Sequence, residues 1–151
     1  MLIPDDYMLI ALEEARYAAE LGEIPVGAVI VDPIRNKILA KNGNRVLRDK
    51  DPTAHAEILV IREAANLSGT VNLQNFELFV TLEPCSMCAS AIAMSRIKRL
   101  EFGAYDPKTG GVEHGAKIFS HSSCHHKPEV VGGVRESESA EQLRKFFAKL
   151  R

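Results

Sequence analysis

Two short stretches hold residue types that can do chemistry together: His55-Ala56-Glu57 and Pro84-Cys85-Ser86-Met87-Cys88. The second stretch alone is ambiguous. A Cys-x-x-Cys pair in a reducing compartment can be a redox couple, half of a structural zinc site, or neither. Its place between a strand-like and a helix-like run also suits thioredoxin-type chemistry. His55 shifts the balance, because zinc favours imidazole and thiolate, and a catalytic site takes three protein ligands and leaves the fourth position to water. His55, Cys85 and Cys88 supply one such set from the first turns of two helices, where the helix N-terminus lowers a thiol's pKa. A closed structural site would draw a fourth ligand from Cys124, His125 or His126. Glu57 favours the catalytic alternative. It follows His55 by two residues near a helix start, which directs its carboxylate to the same pocket without requiring it to bind metal. Bound zinc lowers the pKa of water to about 7. A neighbouring carboxylate can then take that proton and deliver it to a ring nitrogen and to a leaving amine.

These residues need elements to position them. Met8, Leu12, Ala15 and Ala19 recur at helical spacing, predicting a first helix capped near Asp5 or Asp6 and ended by Gly22. Val26 to Val31 reads as a strand covered on both faces, and Ile38 to Lys41 as a weaker one. Thr53 can cap a helix over 54–66. Leu78 to Leu82, Ser86 to Ser95 and Leu100 to Gly103 then read as strand, helix and strand, a crossover unit that makes the two strands parallel. The segment from Asp106 to Gly115 reads as loop, and Glu129 to Val131 as an edge strand. Ser139 with Gln142 forms a capping box for a last helix striped by Leu143, Phe146, Phe147 and Leu150. The expected fold is a single three-layer α/β/α sandwich over residues 1–151, with a mixed central sheet of about five strands.

Composition agrees with one soluble domain: 151 residues, 46% hydrophobic, 26% charged and a formal net charge of −1. Near-neutrality argues against a protein that coats polyanions indiscriminately. The average conceals blocks, however. Residues 1–34 carry a net −6, residues 35–50 a net +5, and the last eleven residues a net +3. Three cysteines are an odd number and too few for a secreted disulfide framework. The first seven residues lack the basic start of a signal peptide. No apolar run approaches the roughly 18 residues of a membrane span, so the expected location is the cytoplasm.

The pattern His-x-Glu followed by Pro-Cys-x-x-Cys resembles that of the zinc nucleobase deaminases. Further stretches narrow the resemblance: 23–29 (Glu-Ile-Pro-Val-Gly-Ala-Val), 43–45 (Gly-Asn-Arg), 81–84 (Thr-Leu-Glu-Pro), 102–106 (Phe-Gly-Ala-Tyr-Asp) and Phe146-Phe147. Over nearly its whole length the chain resembles the bacterial tRNA-specific adenosine deaminases, the TadA family of the cytidine deaminase superfamily. The resemblance implies a cytidine deaminase-like fold and one zinc ion per subunit on His55, Cys85 and Cys88. It also implies hydrolysis of adenosine to inosine at the wobble position of an anticodon, mainly of an arginine tRNA. Water activated by zinc attacks C6 of adenine, Glu57 shuttles protons, and ammonia leaves. Asn44 would hydrogen-bond the purine, walled by Ile24, Pro25 and Val26, with Ala56 and Pro84 as further contacts. Asp106 would face the nucleotide backbone near a ribose hydroxyl. Tyr105 stands where the family often has arginine, and His125 where it commonly has asparagine. Both can stack on or bond to splayed bases of the anticodon stem-loop, as can Phe146 and Phe147. The family acts as a homodimer in which one subunit helps to shape the other's site.

Three other functions compete. A deaminase of free guanine, cytosine or cytidine would share the metal site, since the same activated water serves either ring. A non-catalytic zinc or RNA-binding subunit would have no use for Glu57. A thioredoxin-like protein leaves His55 and Glu57 unexplained. The segment from Phe102 to Asp106 and the basic last helix favour tRNA.

Overall fold

The computed structural model describes residues 4–150. Five strands, β1 (Gly27–Asp32), β2 (Lys37–Gly43), β3 (Glu77–Leu82), β4 (Arg99–Ala104) and β5 (Glu129–Val131), form one mixed sheet in the order β2-β1-β3-β4-β5. β1 runs antiparallel to both β2 and β3, and β3, β4 and β5 are parallel. Every residue of β1 is buried, as its unbroken apolar run requires of a strand covered on both faces. Four helices cover the sheet: α1 (Pro4–Glu20), α2 (Ala56–Ser68), α3 (Ser86–Ser95) and α4 (Glu136–Lys149). The three-layer α/β/α sandwich expected from the sequence is therefore the one formed.

Alternation along the strands assigns the layers. Ala28 and Ile30 of β1 join Leu78, Val80, Leu100 and Phe102 in a core with Val60 and Ala64 of α2 and Ile92 of α3. Val29, Val31 and Phe79 face the other way, onto Met8, Ala11 and Leu12 of α1. Two glycines let α1 sit directly on the sheet. A Cβ at Gly27 would fall 1.9 Å from the Ala11 carbonyl oxygen, and one at Gly43 would fall 2.7 Å from that of Glu14.

Three helix starts differ from the sequence reading. α1 begins at Pro4, so Asp5 and Asp6 lie within its first turn; proline suits that place because its missing N–H would be unpaired anyway. Thr53 does not cap α2. Its hydroxyl donates to the Asp51 carboxylate (2.7 Å), and His55 occupies the N-cap position with no side-chain cap bond. The capping box at Ser139 and Gln142 is not formed either, because α4 starts at Glu136. Ser139 is buried and its hydroxyl donates to the Thr81 carbonyl, while Gln142 Nε2 donates to the Leu12 carbonyl (3.0 Å). A buried hydroxyl must find a partner, and here the sheet supplies a better one than the helix start. Both residues pin α4 across the sheet and α1.

Candidate active site

The reactive side chains gather where two helices begin. His55 and Cys85 stand at the N-cap positions of α2 and α3 in extended backbone (ψ 150° and 174°), and neither side chain caps its own helix. Both are thus left to meet each other. His55 Nδ1 lies 3.7 Å from Cys85 Sγ and 3.5 Å from Cys88 Sγ, and all three donor atoms fall within 4.8 Å of one another. Tetrahedral zinc, with bonds of about 2.3 Å to sulfur and about 2.0 Å to nitrogen, sets neighbouring N and S ligands about 3.5 Å apart. The donor set and its spacing therefore fit zinc without rearrangement. Among the described residues no other group of three such side chains has this closeness. Cys124 adds no fourth ligand: its thiol donates to the His126 carbonyl (3.0 Å), and the His126 ring bonds the Ile97 carbonyl (2.7 Å). The closed structural site is thereby excluded in favour of an open one.

Electrostatics sets these groups apart from ordinary surface acids and thiols. The hydrogen bond from the Cys88 thiol, assisted by His55, holds Cys85 down at about 4. Cys88, donating that bond from a buried position, is pushed up. Glu57 is only 4% exposed, and burial raises its carboxyl to about 7, where it can give or take a proton at neutral pH.

A cavity of about 510 Å³ opens onto His55, Glu57 and Cys85. Ile24, Val26 and Asn44 line it, as do Asp106 and Thr109 from the loop after β4. Asn44 is buried, and its Oδ1 accepts the Ala56 N–H (2.8 Å) at the start of α2, which leaves Nδ2 as a donor for a ligand. Phe146, Phe147 and Leu150 line the same cavity. The C-terminal part of the stripe therefore forms cavity wall, with Phe147 43% and Leu150 69% exposed, while Leu143 and Phe146 are half-buried.

Other expected site residues stand apart from this cavity. Ala56, Pro25 and Pro84 are buried and do not line it, and Cys88, also buried, belongs to the centre through His55 and not through the cavity surface. Tyr105 stands outside it, edge-on to Phe102 with ring centroids 5.1 Å apart. His125 lines a second cavity of about 220 Å³ at the C-terminal end of α3, where its carbonyl accepts from Arg96 (3.0 Å). Two buried acids that line the first cavity, Glu23 and Glu83, have no role in the sequence reading. Glu23 accepts the N–H groups of Leu47 (3.2 Å) and Arg48 (2.9 Å), and Glu83 bonds the 106–114 loop. The available signal was an acid directly beside a buried strand or its connecting turn, where a solvated carboxylate has no place.

Comparison with known proteins agrees with this geometry. Residues 3–104 match the family described as the cytidine and deoxycytidylate deaminase zinc-binding region. The tRNA-specific adenosine deaminase of Agrobacterium fabrum is 52% identical over 96% of this chain and 94% of its own. That of Bacillus subtilis is 43% identical over 96% and 89%. A solved structure from work on A-to-I editing by tRNA:A34 deaminases at the wobble position superposes with a TM-score of 0.88. It is 51% identical and covers 91% of this chain and 99% of that one. The guanine deaminase of Nitrosomonas europaea shares the fold (TM-score 0.85, covering 98% and 86%) at 22% identity. The chain belongs to the cytidine and deoxycytidylate deaminase zinc-binding family and, within it, to the tRNA-specific adenosine deaminases.

Proposed function

We propose that this protein hydrolyses adenosine to inosine at the wobble position of a tRNA anticodon, foremost an arginine tRNA, releasing ammonia. The observation that carries the chemistry is Glu57, buried at the foot of an open cavity beside one imidazole and two thiols at zinc spacing. The choice of tRNA over a free base is supported by the 52% and 43% identity to tRNA-specific adenosine deaminases. His55, Cys85 and Cys88 would hold one zinc ion per subunit. Bound there, zinc would supply a water acidic enough to be deprotonated near neutral pH and add to C6. Glu57 would accept that water's first proton and deliver it to the ring nitrogen. It would then take the second proton from the hydroxyl added at C6 and give it to the amine, which leaves as ammonia as the C6 carbonyl forms. Asn44 offers its free amide N–H to the purine, and Ile24 and Val26 pack against the base. Asp106 lies where the nucleotide backbone enters, and Phe146 and Phe147 offer faces on which splayed bases stack.

Tyr105 and His125 lie outside the base cavity of their own chain, so they serve the anticodon stem-loop beyond the edited base. Such a division suits a homodimer in which one subunit supports its partner's site. No described helix is long and apolar enough to cross a membrane. With tRNA as substrate and free thiols as metal ligands, the cytoplasm is the fitting compartment.

An arginine tRNA transcript, guanine, cytosine and cytidine given in parallel to the zinc-loaded protein test the substrate. Inosine at the wobble position alone is expected, and deamination of a free base alone rejects the tRNA reading. Charge placement yields a second expectation. Arg45 and Arg48 of the basic block are paired with Asp49 and Glu23, and Arg144 with Glu141. Lys41, Lys50 and Lys149 have no ion pair among the described residues and remain for phosphates. Stem-loop binding measured by fluorescence anisotropy should therefore weaken with salt, log K falling by about 0.7 per phosphate contacted for each decade of salt. Binding indifferent to salt rejects an electrostatic role for these lysines.

A further inference from the structure

Glu83 stands between β3 and the Cys85 turn and is only 2% exposed. A carboxylate in that position needs either a cation or several donors. It has five donors, all from the loop over residues 106–114. Oε1 accepts the Asp106 N–H (3.0 Å) and faces His114 Nδ1 (2.8 Å). Oε2 accepts the N–H groups of Val112 (3.2 Å), Glu113 (2.8 Å) and His114 (3.1 Å). The loop closes tightly over it: a Cβ at Gly110 would fall 2.5 Å from Glu83 Oε2. Because both oxygens are committed to the loop, Glu83 is no proton carrier. The same loop brings Asp106 and Thr109 to the cavity, tied together by a bond from the Thr109 hydroxyl (2.6 Å). On its outer side, His114 stands edge-on to Tyr105, with centroids 6.1 Å apart.

We propose that Glu83 is a positioning residue for the deamination: its carboxylate holds the 106–114 loop as a preformed wall of the cavity. RNA then meets Asp106 and Thr109 already in place. Without this anchor, binding must also order the loop, and that ordering cost lowers affinity. The effect belongs to binding, because Glu57 and the metal ligands are carried by α2 and α3 and not by this loop. The proposal rests on the substrate assigned above.

Glu83→Gln tests it, since the side chain keeps its size but one acceptor oxygen becomes an NH2 group that faces N–H donors. The zinc-loaded protein is assayed on an arginine tRNA anticodon stem-loop, with zinc content and amide hydrogen exchange measured alongside. The expected result is wild-type zinc content, exchange at least about tenfold faster at residues 112–114, and KM raised about tenfold with kcat within about threefold. His114→Ala keeps four of the five bonds and should raise KM only about two- to threefold. It carries the same measurements if Glu83→Gln fails to fold. Unchanged loop exchange or an unchanged KM overturns the proposal. Loss of zinc in step with activity also overturns it, since Glu83 would then be supporting Cys85. If the wild-type protein leaves the stem-loop unedited, the substrate assignment fails; the exchange comparison still decides whether Glu83 holds the loop.

Discussion

Glu57→Ala is expected to retain zinc and stem-loop affinity close to wild type while turnover falls by at least about 10²–10⁴-fold, the range supplied by one general acid–base group. The two outcomes separate because Glu57 is not needed among the zinc ligands and sits at the foot of the cavity, behind the surface that grips the RNA. Its loss stalls both proton deliveries, to the ring nitrogen and to the amine, so the deficit should be at the upper end of that range. Glu57→Gln is the closer control: it preserves volume and hydrogen-bonding capacity but cannot take the proton. Both variants should bind the stem-loop with wild-type affinity by anisotropy and carry wild-type zinc by emission spectroscopy. Near-normal activity in either zinc-loaded variant would falsify the proton-shuttle assignment.

Cys88→Ser is expected to lose most of its zinc and a large share of its thermal stability. Cys88 is fully buried, and the serine hydroxyl that replaces it is a poor zinc ligand in a pocket shaped for sulfur. A metal present at about a thousand times its Kd stabilises the folded chain by about 4 kcal/mol, and that contribution disappears with the ion. The variant should therefore melt lower than wild type, and added zinc should restore little of the difference. Chelator treatment of the wild type should shift its melting temperature in the same direction. Emission spectroscopy showing unchanged zinc per chain in Cys88→Ser removes Cys88 from the ligand set.

Much of the fold was legible because its signals are local. The buried run of β1 and the strand, helix and strand from β3 to β4 follow from apolar patterning over a few residues, and α3 and β5 match their expected bounds. Helix starts were the weak point. At Thr53 and Ser139 the expected cap hydroxyl bonds elsewhere, to Asp51 and to the Thr81 carbonyl. Capping preference is a local tendency that any nearer or buried acceptor can override. The last helix shows the converse difficulty. A stripe at helical spacing states that a face is apolar; whether it meets core, partner or cavity depends on where the helix is docked.

By itself the sequence determined the chemistry. His55, Glu57, Cys85 and Cys88 carry it in their residue types and short spacings at two helix starts, which the packed sheet then brings side by side. Only the tertiary structure decided what surrounds that centre. It brought Phe146 and Phe147 to the cavity, placed His125 at a separate one, and revealed Glu23 and Glu83 as anchors of loops 23 to 31 residues away in the chain. The reason is physical: each half of the metal site is built from neighbours along one helix start, so its residue types and spacing show in the chain. A buried carboxylate is satisfied by whichever backbone N–H groups the packed sheet carries to it, and no pattern along the chain records that meeting.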